Sequence, residues 1–159
     1  MPGNIGIGGW GQTGKLSSGS DRKAFHEDGL AGFYVFGAQR LWFRNPSVDN
    51  SGISAYYQFG FNDSKTMLAD RYFGFGLTGF GLVPRRPVDS VGTGLAWSGL
   101  NRPPGSGRRS NELMLAIYYQ LHAFAGVFFQ PTITYLPNPG VSTSVPAAVA
   151  MTLQSTVLF

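Results

Sequence analysis

GISAYYQFGFN, residues Gly52–Asn62, alternates from end to end. Ile53, Ala55, Tyr57, Phe59 and Phe61 fall on one side of a period-two backbone, and Ser54, Tyr56, Gln58, Gly60 and Asn62 fall on the other. This pattern predicts a β-strand with one greasy face and one polar face. Residues 112–122 repeat it: Leu113, Leu115, Ile117, Tyr119 and Leu121 stand opposite Glu112, Met114, Ala116, Tyr118, Gln120 and His122. Leu, Met and Ala are good helix formers, so composition points here to a helix and alternation to a strand. The strand signals on both sides decide for the strand.

Working outward, residues 4–15, 30–43, 68–83, 91–101, 126–136 and 147–159 read as further strands, which makes eight. Turn-forming residues separate them at 17–21, 45–52, 62–65, 84–87, 102–107 and 137–140, and 123–126 is the tightest connection. Residues 30–43 receive no face assignment, because Gln39 and Arg40 are adjacent polar residues. In the last segment Val149, Met151, Leu153, Val157 and Phe159 share a face interrupted by Ser155. A final strand ending on an aromatic resembles the signal by which bacterial outer-membrane barrels are recognised for assembly.

Strands of about ten residues have the length of tilted membrane-spanning strands, and antiparallel neighbours need only short connections. The fold expected is all-β, an antiparallel up-and-down outer-membrane β-barrel, as one domain over residues 1–159. If Phe159 ends on the periplasmic side, the connections at 16–29, 62–67, 102–111 and 137–146 are extracellular and the others periplasmic.

Composition agrees. The chain has 23 Gly, 14% aromatic residues and only 13% charged residues, about half the ~25% charge of an ordinary soluble domain. Aromatic girdles with few charges suit a surface that faces lipid, and Trp10, Trp42 and Trp97 are the girdle candidates. No segment approaches the apolar run of about 18 to 20 residues that a spanning helix needs. Mean hydropathy close to neutral is what alternating barrel strands produce. Residues 1–14 lack the basic and apolar regions of a secretory signal, which an exported protein requires. The net charge of +4 is spread over scattered residues with small clusters at Arg85-Arg86 and Arg108-Arg109, so no nucleic-acid partner is expected.

Catalysis finds no footing either. Cysteine is absent, His26 falls in a loop candidate, His122 stands at a strand end, and no paired carboxylates occur at matched spacing. The glycines of residues 6–14 and 74–81 lack a phosphate-loop or dinucleotide pattern. They read instead as relief of crowding in curved strands, or as lumen space.

Residues 81–96, GLVPRRPVDSVGTGLA, look like the GL-x-P-G-R-P-x-D-x-(L/V)-G-x-G segment of the OprB-type carbohydrate-selective porins. Gly81, Leu82, Pro84, Arg86, Pro87, Asp89, Gly92 and Gly94 match, and Arg85 stands where that family usually has Gly. Residues 130–140, QPTITYLPNPG, are similar to the family's Q-P-x-x-Q-Y-x-x-N-P-G, with Thr134 in place of a glutamine. Gly9-Trp10 with Thr13-Gly14 resembles a third family segment. The matches keep family order through to Phe159.

The resemblance implies passive diffusion of carbohydrates across a bacterial cell outer membrane, without cofactor or energy input. It also implies a barrel of about sixteen strands, of which this chain is the C-terminal portion. The partners implied are outer-membrane lipid, permeating sugars and a missing N-terminal barrel half or a homo-oligomer. Polar and aromatic groups assigned to the lumen are the sugar-contact candidates: Tyr56, Gln58, Tyr72, Tyr118, Gln120 and Gln130. Aromatic faces stack on sugar C–H faces and amides exchange hydrogen bonds with hydroxyls; the same residues also suit packing inside a barrel. Arg71 beside Asp70 and Arg86 near Asp89 fit pore charges or turn-pinning pairs, the turn being favoured for Arg86 and Asp89. Two other readings are a non-conducting eight-stranded barrel filled by its own side chains and a soluble β-rich carbohydrate-binding domain.

Overall fold

The structure is a computed structural model that describes residues 3–18, 25–47, 49–64, 66–101, 109–140 and 142–159. Eight strands follow in chain order: β1 Gly3–Ser18, β2 Phe25–Phe43, β3 Gly52–Asn62, β4 Ala69–Phe80, β5 Ser90–Leu100, β6 Asn111–Phe124, β7 Val127–Leu136 and β8 Ala148–Val157. Each pairs antiparallel with the next to form one sheet in the order β1-β2-β3-β4-β5-β6-β7-β8. No helix occurs among the described residues, and the segment at 112–122 lies within β6. Strand β3 has the bounds expected from alternation. β1 and β2 run further than expected, pairing Leu16 with Glu27 and Ser17 with His26, so His26 belongs to a strand rather than a loop.

The register carries the alternation across the sheet. Ala55 faces Leu77, Leu77 faces Thr93, Thr93 faces Ile117 and Ile117 faces Ile133. The odd-numbered sets of β3 and β6 therefore share one apolar face. The ambiguity at residues 30–43 has two physical sources: Gln39 is a polar residue on the apolar face, and just beyond Arg40 the β2–β3 register shifts before Trp42. Gln39 faces Ala55 on the apolar side, Arg40 faces Ser54 on the polar side, and after the bulge at Leu41 it is Trp42 that faces Ile53. Trp42 and Trp97 lie on the apolar face, as a girdle requires. Trp10 departs from that expectation, facing Gly32 on the polar side.

Among the described residues no second layer covers this sheet. Among the described residues only Leu30 and Ala55 are buried apolar side chains, while Ile7 is 79% and Met151 78% exposed. A soluble sandwich buries one face of each sheet against another, so the sandwich reading has no counterpart here. In water each large apolar side chain left uncovered forgoes roughly 1.5–3 kcal/mol of burial. The apolar face therefore needs lipid or protein against it. The sheet is also open, because β1 and β8 each pair on one side only.

The β6–β7 connection is short. Ala125 and Gly126 link β6 to β7, and Gly126 takes φ 73° with the Leu158 amide donating to its carbonyl at 2.8 Å. Within β7, Pro131 faces Leu153 of β8. On its other side the β6–β7 ladder is interrupted between Tyr118/Thr132 and Leu121/Phe129, where proline brings no N–H.

Candidate functional site

The polar face of β3 to β6 is floored by glycine. Row by row across the strands, Gln58, Gly74 and Ala96 stand opposite one another; the next row holds Tyr56, Gly76, Gly94 and Ala116; the next holds Thr78, Gly92 and Tyr118. Each large side chain thus faces a glycine on the adjacent strand. The Tyr56 ring lies over Gly76: a Cβ there would sit 2.2 Å from Tyr56 Cε1, and one on Gly94 would sit 2.4 Å from the Tyr56 hydroxyl. The Tyr118 ring lies over Gly92, at 2.4 Å from the corresponding position. It reaches across β5 to Thr78 on β4, where the two hydroxyls share a 2.7 Å hydrogen bond. Gln58 crosses Gly74 and donates from Nε2 to the Tyr72 hydroxyl at 2.7 Å.

Of the six residues singled out from sequence, Tyr56, Gln58, Tyr72 and Tyr118 come together on this floor. Gln120 lies on the same face nearer the β4–β5 turn, accepting from the Ser90 hydroxyl at 3.3 Å. Gln130 stands apart on β7, opposite Gln154. Two further groups belong to the face. Thr78 was hidden in a long strand candidate, and Arg40 in a segment left without a face because Gln39 beside it is also polar. The Arg40 guanidinium sits 5.1 Å from the ring centres of both Phe43 and Phe80 and donates to the Asn50 carbonyl at 2.6 Å. Such stacking holds a positive charge at a fixed place.

The 81–96 motif builds a turn. Asp89, 2% exposed, accepts hydrogen bonds from Arg86 Nε at 2.7 Å, from the His122 amide at 2.9 Å and from the Tyr119 hydroxyl. Arg86 also donates to the His122 carbonyl at 2.9 Å. Burial opposes ionisation of Asp89, but the bonds from Arg86, Tyr119 and the His122 amide outweigh it and hold the carboxyl below its ordinary pKa. The β4–β5 turn is thereby pinned to the end of β6. Arg85 adopts φ 63°, the left-handed backbone that favours glycine. Arginine here holds a backbone that suits glycine better. Arg71 and Asp70 pair at 3.3 Å at the start of β4, with Arg71 on the apolar side opposite Phe61 and more than half exposed.

At the other end the 130–140 motif also finds its partners. Arg109 donates to Asn138 Oδ1 at 2.8 Å and to the carbonyls of Ser142 and Val145 at 3.1 Å. The Gly140 amide donates to Glu112 at 2.5 Å. These bonds fasten the β7–β8 connection to the start of β6.

A sheet of this kind is compared most usefully with barrel walls. A family model described as "Carbohydrate-selective porin, OprB family" matches residues 1–159. No curated protein matches the chain. Among solved structures, the high-pH structure of Pseudomonas putida OprB superposes with a TM-score of 0.84 at 22% identity, covering 98% of this chain and 44% of that one. This chain thus spans less than half the length of that porin. The eight-stranded antiparallel fold, the two motifs with their turn contacts and the family match over the whole chain agree: the protein belongs to the OprB family of carbohydrate-selective porins.

Proposed function

We propose that this chain is the C-terminal portion of a porin wall, in an outer membrane, through which carbohydrates diffuse passively. Its polar face lines the lumen and its apolar face meets lipid. The observation that carries the reading is a single sheet with one greasy and one polar, glycine-floored face and two unpaired edges, matching 44% of a longer porin chain. Unpaired edges are not viable in hydrocarbon, so further strands complete the barrel. With the C-terminal end of β8 on the periplasmic side, alternation puts the β3–β4, β5–β6 and β7–β8 connections outside the cell and the β2–β3, β4–β5 and β6–β7 connections in the periplasm. Tyr56, Gln58, Tyr72 and Tyr118 supply stacking faces and hydrogen bonds to passing sugars, with Gln120 and Gln130 further along the wall. Selectivity arises from lumen width and lining, and the chain acts as a channel wall rather than an enzyme.

The natural absence of cysteine provides the test. In the complete porin in liposomes, Gln58→Cys should react with a charged, water-soluble maleimide, and its neighbour Phe59→Cys should not. Equal reactivity at both sites, or the reverse order, would sink the face assignment.

A further inference from the structure

Glycine inside a strand is destabilising relative to alanine, so repeated glycine on one face of β4 and β5 needs a physical reason. We infer that Gly76, Gly94 and Gly92 are positioning residues that set the bore of the pore, by seating the Tyr56 and Tyr118 rings flat against the wall. The inference rests on the polar face being the lumen.

The geometry is specific. Tyr56 leaves β3 and lies across β4 towards β5, while Tyr118 leaves β6 and lies across β5 towards β4. The two rings run in opposite directions in adjacent rows. A Cβ on Gly76 or Gly92 would stand 2.2 to 2.4 Å from ring carbons, where ordinary contact needs about 3.5–4.0 Å. The sheet lies beneath the ring, so a displaced ring moves away from the wall. Alanine at either glycine therefore narrows the lumen by lifting a whole phenol into it, an effect far larger than the methyl group itself. Among the described residues the same joint occurs on the opposite face at Gly37, whose Cβ position lies 2.5 Å from the Tyr57 hydroxyl. Glycine is known to be covered by aromatics across sheets; on one face of this sheet the covering ring is also the lumen surface.

The test uses single-channel conductance and sugar flux of the complete porin containing this segment, normalised to folded protein. Gly92→Ala and Gly76→Ala should each lower conductance and the size of sugar that passes, and adding Tyr118→Ala to Gly92→Ala should restore both. Gly37→Ala should leave both unchanged. Gln58→Arg, which places a charge on the same face without touching either ring joint, should shift ion selectivity. If Gln58→Arg shifts selectivity but the two glycine variants conduct as the parent does, the lumen assignment stands and the inference is overturned. If Gln58→Arg has no effect and Gly37→Ala lowers conductance, the lumen assignment itself is wrong. Should the glycine variants fail to fold, Thr78→Val with Tyr118→Phe removes the hydroxyl tether and keeps the glycine seat. Unchanged conductance then supports the seat, and a fall shows that the tether holds the ring.

Discussion

At Arg85 a side chain stands on the left-handed backbone that glycine favours. Its φ of 63° carries a left-handed penalty of about 1–2 kcal/mol. Arg85→Gly should therefore raise unfolding stability by about 1 kcal/mol, less the added chain entropy of glycine, read from urea titration of the porin in lipid; a loss would show that the side chain makes an offsetting contact. Asp89 is the opposite case, a residue whose removal is felt by three donors at once. Asp89→Ala should cost on the order of 3 kcal/mol, because a buried acceptor of charged and neutral donors is lost. Its pH dependence follows from the direction of the shift. The folded carboxyl has the lower pKa, so its stabilisation is present above the unfolded value near 3.9 and is lost as pH falls through the folded value. The direct check is that the parent loses its advantage over Asp89→Asn as pH falls below 4. Both residues were visible in the 81–96 motif, but the partners at Tyr119 and His122 were not, because thirty residues of chain separate them and only the sheet register brings them together.

Among the elements, β6 offers the clearest separation of faces. In the complete porin, Tyr118→Ala and Gln120→Ala should alter sugar flux more than Leu115→Ala or Ile117→Ala. The latter pair should chiefly lower stability, by about 2–3 kcal/mol at most for side chains that face lipid rather than a core. Equal changes in flux per folded protein across the four would show that this strand's faces are assigned wrongly. Strands β3 and β6 were legible because one face stays apolar for five successive odd positions. β2 was not, because Gln39 puts a polar side chain on the apolar face beside Arg40 on the polar one, and a bulge at Leu41 then shifts the last residues of the strand; no periodicity argument sees a bulge in a single sequence. Candidate residues were legible to the extent that alternation assigns a face. Which of them meet was not: Tyr56, Gln58, Tyr72 and Tyr118 converge because β3, β4, β5 and β6 are in register, whereas Gln130 shares the face but not the neighbourhood.

For the whole molecule the governing fact is an open sheet without a core. β1 and β8 each expose a row of backbone donors and acceptors, and hydrocarbon offers these groups no partners. β1 and β8 lie antiparallel across an even number of strands, with apolar positions on one common face, Ile5 and Ile7 at one edge and Val149, Met151 and Leu153 at the other. Strands added between them can continue both faces without a break. Length and composition anticipated a barrel wall; openness needed the register, since eight strands by themselves are enough to close a small filled barrel. The decisive measurement is sugar uptake into liposomes holding the 159-residue chain, set beside liposomes holding the same chain joined to a matching N-terminal half. Uptake should appear only with the joined protein; equal uptake per folded molecule by the 159-residue chain alone would contradict the reading of this sheet as part of a larger wall.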